Sequence, residues 1–296
     1  MRQQLALWET EAVDERQVVN VAQIPQRSPF RYPGGKTWLV PHVRLWLRSL
    51  SKRPRLFVEP FLGGGIVSLT VAFEDLADRV LMVELDHNVA ALWKTILSDD
   101  NEWLAEKIVS FDMTIEAVRE ELAKKPHDQK HLGFQTLLRN RTNHGGILAP
   151  GSGVLKYGEN GKGIRSRWYP QTLRKRIRNI ATVRGKISFV EGEGIEIIKK
   201  HERQGSAAFF IDPPYTAAGK RAGSRLYTHF ELDHQQLFRQ CEKIKGDFLM
   251  TYDTADEVVA MAKGHGFHVD VVSMMNTHHS TMEELVIGRN LDWVKH

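Results

Sequence analysis

Asp212-Pro213-Pro214-Tyr215 combines residue types that suit a planar group carrying an amino group. The two prolines fix the local backbone and remove two N–H donors. The Asp212 carboxylate and the Pro213 carbonyl then remain as rigid acceptors, and the Tyr215 ring offers a surface for stacking. The pattern therefore predicts a site that holds an aromatic amino group between two acceptors. The simpler alternative is a proline turn that closes a strand.

A second segment, Phe57-Val-Glu-Pro-Phe-Leu-Gly-Gly-Gly65, places three glycines shortly after an apolar run. Glycines in this position let the backbone approach a ligand closely. The segment is not GxGxxG and no Lys-Ser or Lys-Thr follows it, which disfavours dinucleotide and P-loop sites. It indicates a nucleoside-type cofactor, and a plain strand-to-helix turn is the alternative.

A third feature is Glu84, an acid at the end of another apolar run, residues 79–84. A carboxylate at the end of a strand is well placed to accept hydrogen bonds from the two hydroxyls of a ribose. Asp86 competes for this role, and an exposed acid at a strand end is the alternative.

These three features need a scaffold that brings them together, and the apolar pattern predicts one. Strand candidates alternate with helical periodicity, which indicates a parallel sheet with helices on both faces. In such sheets ligands bind outside the carboxyl ends of the strands, so the three segments should meet at one edge. The strand candidates are residues 55–59, 79–84, 186–190, 207–211, 247–252, 267–273 and 284–288. The helix candidates are residues 36–50, 66–73, 87–98, 232–244 and 255–263.

The alternation is interrupted over residues 99–185, which we interpret as an insertion. Residues 101–125 and 132–143 have helical patterns, and residues 165–178 are densely basic. Residues 145–163 hold seven glycines, too many for a helix, and suit a β-hairpin or a mobile surface loop.

Charge is spread unevenly along the 296 residues. The whole chain has 41 basic and 36 acidic residues, a net charge of +5. Residues 130–186 contain 13 Lys and Arg and one acid, Glu159, or +12, so the remainder carries 28 basic and 35 acidic residues, or −7. Such concentrated positive charge indicates a polyanion partner, most simply nucleic acid. A solvated basic face without a partner is the alternative.

Composition excludes several other classes of protein. With 42% hydrophobic residues, the chain is neither disordered nor fibrous. The single cysteine, Cys241, excludes an intrachain disulfide and a Cys-rich zinc site. The N-terminal residues lack a signal-peptide pattern, and no apolar run approaches the roughly 20 residues needed to span a bilayer. We therefore expect a cytoplasmic protein.

Taken together, these motifs resemble the Dam-like (alpha) group of DNA adenine-N6 methyltransferases. Arg31-Tyr-Pro-Gly-Gly-Lys36 resembles the opening motif of that family, Phe57–Gly65 its S-adenosylmethionine loop, and Asp212–Tyr215 its catalytic motif. Further matches are Tyr227-Thr-His-Phe230 with Asp233-His234, and Met282–Gly288. The matches follow the family order over most of the chain.

The resemblance implies a Rossmann-like α/β methyltransferase sheet with an inserted target-recognition domain, mostly helical with a β-hairpin. Residues 1–98 and 186–296 would form the catalytic and cofactor-binding domain, with 1–28 as a flexible arm. Residues 99–185 would recognise DNA. The implied reaction is methyl transfer from S-adenosylmethionine to N6 of an adenine flipped out of double-stranded DNA. It requires no metal, and a monomer is favoured.

The resemblance also assigns residues position by position. The catalytic group is Asp212, Pro213, Pro214 and Tyr215. Cofactor binding falls to Tyr32, Lys36, Glu59, Pro60, Phe61, Gly63, Gly65, Glu84, Glu193 and Asp212. Lys36 would also lie close to DNA, Glu84 would hold the ribose, and Glu193 would lie beside the cofactor adenine. At positions 84 and 193 the family usually has the shorter Asp.

DNA contacts are expected from the basic insertion and from Lys36. Lys and Arg side chains would contact phosphates, and Arg and Asn suit the edges of guanine and adenine. The candidates are Arg139, Arg141, Asn143, Arg165, Arg167 and Trp168. Trp168 or Tyr169 could stack on a base or wedge into the duplex, and packing in the core is the alternative for these rings.

Two other functions remain open. One is a methyltransferase that acts on RNA, on cytosine N4 or on a protein amide. The other is a non-catalytic nucleic-acid-binding module that has kept the fold.

Overall fold

The computed structural model describes residues 24–31, 35–148, 152–153, 161–214, 232–275 and 281–295. Within these residues the chain forms one seven-stranded sheet and ten α-helices. The strands are β1 Leu56–Glu59, β2 Arg79–Glu84, β3 Ile187–Glu191, β4 Ala207–Ile211, β5 Asp247–Asp253, β6 His268–Met275 and β7 Thr281–Gly288. The helices are α1 Val40–Ser49, α2 Ile66–Phe73, α3 His87–Leu97, α4 Asn101–Ser110, α5 Ile115–Ala123, α6 Gln129–Thr142, α7 Pro170–Val183, α8 Gly194–His201, α9 His234–Glu242 and α10 Asp256–Gly264.

The strand order is β3-β2-β1-β4-β5-β7-β6. The pairs β1–β2, β1–β4, β2–β3 and β4–β5 are parallel, whereas β7 is antiparallel to both β5 and β6. The predicted Rossmann-like α/β class is confirmed, but its expected all-parallel sheet is wrong at β7. Five residues join β6 to β7. A parallel crossover needs about a dozen or more residues, so a link this short permits only antiparallel pairing.

Side chains of the central strands alternate between two hydrophobic cores, one on each face of the sheet. Phe57 contributes to the first core and Val58 to the second, and the alternation continues along β2 and β4. The first core also contains residues of α1, α2 and α3. The second contains residues of α8, α9 and α10. Helices therefore cover both faces, as the alternating pattern predicts.

The helices of residues 99–185 pack on α3 and extend the first core. They contribute Leu104, Ile108, Val118, Phe134, Leu137, Leu138, Leu173, Ile177 and Ile180. The single helical pattern of residues 101–125 is two helices, because Thr114 begins α5 by accepting a hydrogen bond from Ala117 N at 3.2 Å. No strand lies among residues 99–148, 152–153 and 161–185. Much of the predicted hairpin, residues 149–151 and 154–160, lies outside the described residues.

The described part of the opening arm is fixed to the insertion. Asn140 exchanges hydrogen bonds with the backbone of Arg31, at 2.9 Å from Arg31 N and 2.8 Å to Arg31 O. Arg176 donates to Ser28 O at 2.8 Å, and Ile24 is buried in the first core. Ile24 and Ser28 are therefore buried, whereas Pro25 and Gln26 are exposed, and residues 1–23 lie outside the described residues. None of the described helices combines the length and the apolar character needed to cross a membrane.

Candidate active site

The parallel strands bring three of the expected acids to one edge of the sheet. Glu59 ends β1, Glu84 ends β2, and Asp212 follows the last residue of β4. Because β1 pairs in parallel with both β2 and β4, these carboxyl ends point the same way. Three acids that the sequence places in separate motifs therefore lie at one edge of the sheet.

The loop after β1 depends on its glycines. Gly63 and Gly65 have φ values of 47° and 61°, in the left-handed region that favours glycine. A Cβ on Gly65 would lie 2.8 Å from the ring of Trp93. The Trp93 indole donates to Gly63 O at 3.0 Å, and Leu62 N donates to Val83 O at 2.9 Å. These contacts hold the loop against β2 and α3.

Glu84 binds the backbone on both sides of it. Its Oε2 accepts a hydrogen bond from Gly63 N, and its Oε1 accepts one from Asp86 N, both at 2.9 Å. Burial raises the pKa of Glu84 to about 7, although these hydrogen bonds favour the ionised form. Each carboxylate oxygen has a second lone pair, so hydrogen bonds from a ribose remain chemically feasible.

The competitor, Asp86, has a structural task. Its Oδ1 accepts hydrogen bonds from Asn88 N at 2.8 Å and Val89 N at 3.1 Å, which caps the N-terminus of α3. The two neighbouring acids therefore have different roles. Asp86 caps the N-terminus of α3, whereas Glu84 accepts a hydrogen bond from Gly63 N in the glycine loop.

Glu59 is buried beneath the same loop. Its Oε2 accepts a hydrogen bond from Ser68 N at 2.8 Å, in the first turn of α2. Burial raises the pKa of Glu59 to about 8, and the negative charges of Asp212 and Glu84 add to that rise. The edge of the sheet therefore contains closely spaced acids that repel one another and favour a cationic ligand.

Lys36 bridges two of the acids at this edge. Its Nζ lies 3.0 Å from Asp212 Oδ1 and 2.9 Å from Glu284 Oε1, and the residue is only 5% exposed. Burial lowers the pKa of Lys36, but the two carboxylates outweigh burial and keep the pKa above its ordinary value. Thr251 Oγ1 also donates to Asp212 Oδ1, at 2.8 Å. Lys36 and Thr251 together orient the Asp212 side chain.

Glu193 lies beside the glycine loop. Glu193 follows β3, in which Glu191 lies opposite Glu84 in the strand register. The Glu193 Oε2 caps α8 by accepting a hydrogen bond from Glu196 N at 2.8 Å. A Cβ on the next residue, Gly194, would lie 2.6 Å from Pro60 O and 2.8 Å from the Phe61 ring. The segment after β3 is thus in direct contact with Pro60 and Phe61.

Several predicted residues cannot be placed. Tyr32, Tyr215 and residues 227–230 lie outside the described residues. Pro213 is buried and Pro214 is half-buried, immediately after Asp212. Thr251, Glu284, Ser68 and Trp93 were absent from the predicted site, although all four hold its parts in place.

Three expected DNA-reading residues are buried in contact with the protein itself. Arg141 donates to Pro29 O, and Asn143 donates to Ile147 O and Ser152 Oγ, both at 2.9 Å. Trp168 packs against Phe111, with ring centroids 6.2 Å apart. In this structure the three side chains are buried and contact other parts of the protein, so they are not exposed to contact base edges.

The other candidates are more accessible. Arg165 is exposed, with its Nε donating to Met113 O at 2.8 Å, and Arg139 and Arg167 are half-buried. Their contacts with DNA stay a prediction.

Much of the positive charge of residues 130–186 faces acids of the same protein. Arg178 pairs with Glu102 and Glu106 on α4. Further ion pairs are Arg184–Asp99 at 2.7 Å, Lys130–Asp100 at 3.1 Å and Lys186–Asp75 at 2.5 Å. The +12 of this segment therefore overstates the charge that it presents to a partner.

Among the described residues, one group of side chains could hold a metal ion. His127, Asp128 and His131 place potential ligand atoms within 4.8 Å of one another at the start of α6. Asp128 Oδ1 already accepts hydrogen bonds from His131 N at 2.9 Å and from its Nδ1 at 2.6 Å. This exposed group shares no residue with the site at the edge of the sheet.

Comparisons with known proteins give weak likenesses. No protein-family model and no curated protein matches the chain. Among solved structures, a protein described as an RNA methyltransferase from Pyrococcus horikoshii is 12% identical, with a TM-score of 0.39, over 88% of this chain and 84% of that one. The rRNA methyltransferase AviRa from Streptomyces viridochromogenes is 13% identical, with a TM-score of 0.37, over 94% of each chain.

A third structure, precorrin-6y C5,15-methyltransferase from Geobacter metallireducens, is 12% identical, with a TM-score of 0.35, over 83% of this chain and 84% of that one. Likenesses at this level support no statement about the activity or the substrate of this chain.

Proposed function

We propose that the chain is an S-adenosylmethionine-dependent methyltransferase that modifies the N6 amino group of adenine in double-stranded DNA. The observation that carries the proposal is the placement of Asp212-Pro213 at the end of β4, with Asp212 held by Lys36 and Thr251. This pair of acceptors lies at the same sheet edge as the glycine loop and Glu84.

The charge of the site suits the cofactor. Asp212 and Glu284 share the single positive charge of Lys36, and Glu84, whose pKa is about 7, is partly ionised near neutral pH. A sulfonium ion would offset part of this negative charge. S-adenosylmethionine supplies a methyl group bound to such a cationic sulfur. Gly65 is buried, and a Cβ there would collide with Trp93, so only glycine lets the loop pack this closely against α3.

The acceptors suit the other reactant. An adenine amino group is a poor nucleophile because its lone pair is delocalised into the ring. Asp212 and the Pro213 carbonyl would accept its N–H groups, favour a pyramidal nitrogen and stabilise the positive charge that develops on it. Lys36 and Thr251 would fix the direction from which Asp212 accepts, which lowers the barrier by positioning. The N–C bond would form as the C–S bond breaks, without a covalent enzyme intermediate. The leaving group would be the neutral thioether S-adenosylhomocysteine, and the excess proton on N6 would be released to solvent.

The proposal is tested by Asp212→Asn in a labelled-methyl assay on duplex DNA. The substitution keeps the shape of the side chain but removes the negative charge, so we expect methyl transfer to fall about 100-fold or more. Asp256→Asn, at an exposed Asp that begins α10, is the matched control and should retain wild-type turnover.

Calorimetry then separates the binding of DNA and S-adenosylmethionine from the chemical step of methyl transfer. Both variants should still bind duplex DNA, because Asp212 is assigned to the chemical step. Undiminished methyl transfer by Asp212→Asn would overturn the assignment. A wild-type chain that binds DNA but not S-adenosylmethionine would instead indicate a non-catalytic binding module.

A further inference from the structure

A cavity lies beside the glycine loop, on the side of the opening arm. It has a volume of about 400 Å³ and is enclosed by residues 26–31, the start of α2 and the helix α7. Among the described residues that line it are three arginines, Arg31, Arg141 and Arg176, and no acid. A cavity of this composition favours an anion.

Arg141 is the most deeply buried of the three. It is 3% exposed, its Nη2 donates to Pro29 O, and its Nε has no hydrogen-bond partner among the described residues. Burial lowers the pKa of Arg141 to about 9, and the like charges of Arg176 and Arg31 lower it further. A buried cation surrounded by other cations is costly unless an anion compensates it. An oxyanion in the cavity would offset the charge of the buried Arg141 side chain and accept a hydrogen bond from its Nε.

The surroundings of the cavity point to nucleic acid as the source of that oxyanion. Tyr169, 51% exposed, lines the same cavity and offers an aromatic face beside the arginines. Positive charge that follows a backbone, combined with an aromatic ring for stacking, is a typical way to bind nucleic-acid strands. The cavity also reaches Ile66, the first residue of α2, whose N-terminal end carries a partial positive charge.

We propose that this cavity binds a backbone phosphate of the nucleic-acid substrate, with Arg141 and Arg176 as its main ligands. The proposal rests on the proposed function for its substrate class. The cavity is coupled to the active site, because Gly64 lines it and Ser28 Oγ donates to Gly64 O at 2.6 Å. A phosphate bound here would anchor the substrate against the glycine loop, which the proposed function assigns to the cofactor.

Arg176→Gln is the variant that tests this proposal, and Arg178→Gln is its matched control. Both remove one charge from α7, but Arg178 pairs with Glu102 and Glu106 on α4, away from the cavity. Binding of a short dye-labelled DNA duplex is measured by anisotropy over a range of KCl concentrations. We expect Arg176→Gln to weaken binding about tenfold and to reduce the salt slope by about one unit, as for the loss of one phosphate contact. Arg178→Gln should leave the slope unchanged.

Arg176 also donates to Ser28 O, so loss of packing must be separated from loss of charge. Arg176→Lys keeps the charge and should retain the wild-type salt slope, whereas a purely structural role would alter both variants alike.

Calorimetry with S-adenosylmethionine in the absence of DNA completes the test. Its affinity should be the same in Arg176→Gln and the wild type. If that affinity falls while the salt slope is unchanged, the anion is the carboxylate of the cofactor and the proposal is overturned. If Arg176→Gln behaves like Arg178→Gln throughout, the cavity binds no phosphate. A wild-type chain that binds neither duplex nor cofactor would instead refute the proposed function.

Discussion

Lys36→Met would leave the carboxylates of Asp212 and Glu284 without the ammonium that bridges them. Methionine has a similar length and no charge, so the change removes the ion pairs while it keeps most of the volume. Removing one partner of a buried ion pair typically costs about 3–5 kcal/mol, because the other charge stays buried and uncompensated. Since Lys36 is 5% exposed and lies within 3.0 Å of both acids, we expect a loss of this size at neutral pH.

Urea denaturation measures the loss as a change in the free energy of unfolding. Lys263→Met, at an exposed lysine of α10, is the control and should change stability by less than about 0.5 kcal/mol. At about pH 5 the deficit of Lys36→Met should shrink, because the stranded carboxylates can then take up protons. Adding Glu284→Gln should recover part of the loss at neutral pH.

The reasoning would be refuted by a loss below about 1 kcal/mol that is the same at both pH values. Such a result would mean that Lys36 contributes no more than an exposed ion pair.

Three further outcomes are expected. Gly65→Ala should destabilise the protein by roughly 2–4 kcal/mol and weaken binding of S-adenosylmethionine in calorimetry, because φ is 61° there and a Cβ would lie 2.8 Å from Trp93; wild-type values for both would contradict the loop geometry. Burial raises the pKa values of Glu59 and Glu84 to about 8 and about 7, so the folded state holds protons that the unfolded chain, near 4.5, has released. Their contribution to stability should therefore be lost as the pH rises from about 4.5 to about 8, and Glu59→Gln should flatten that decline in urea denaturation. Trp93→Phe removes the hydrogen bond to Gly63 O and leaves a cavity at a side chain that is 0% exposed, so it should cost about 2–3 kcal/mol, and an unchanged urea midpoint would contradict this role of Trp93.

The scaffold of the site could be predicted well because its strands are short apolar runs that end at acids. The predicted bounds of β2, β4 and α2 agree with the structure. In each case a turn or a charged residue interrupts the apolar pattern on both sides, so local signals were sufficient. The reversed direction of β7 was also encoded, in the five residues that separate it from β6, but strand periodicity alone does not reveal direction.

The partners of the site residues could not be predicted, because they come from distant parts of the chain. Lys36 contacts Asp212 and Glu284 only when the 3-10 helix Lys36–Leu39, the end of β4 and β7 have been brought to one edge, and no local sequence pattern predicts that contact. In the sequence, Glu284 is an acid at the start of the predicted strand 284–288, and Thr251 is a threonine within the predicted strand 247–252. Neither position indicates a role in the site.

The basic insertion shows the limit of interpreting charge from sequence. Arg184 lies in the basic stretch, but it donates to Ser98 O and pairs with Asp99, both at 2.7 Å. Arg178 likewise neutralises two glutamates on α4. Net charge counts such residues as available, whereas tertiary packing decides which of them face a partner.

Nucleoside analysis of the methylated product tests the central proposal most directly. Duplex DNA and RNA of matched sequence are each incubated with the wild-type chain and methyl-labelled S-adenosylmethionine, and the nucleosides are then separated. We predict that the label appears in DNA as N6-methyladenine and disappears with Asp212→Asn. Label confined to RNA, or found on cytosine or on protein, would contradict the proposed substrate.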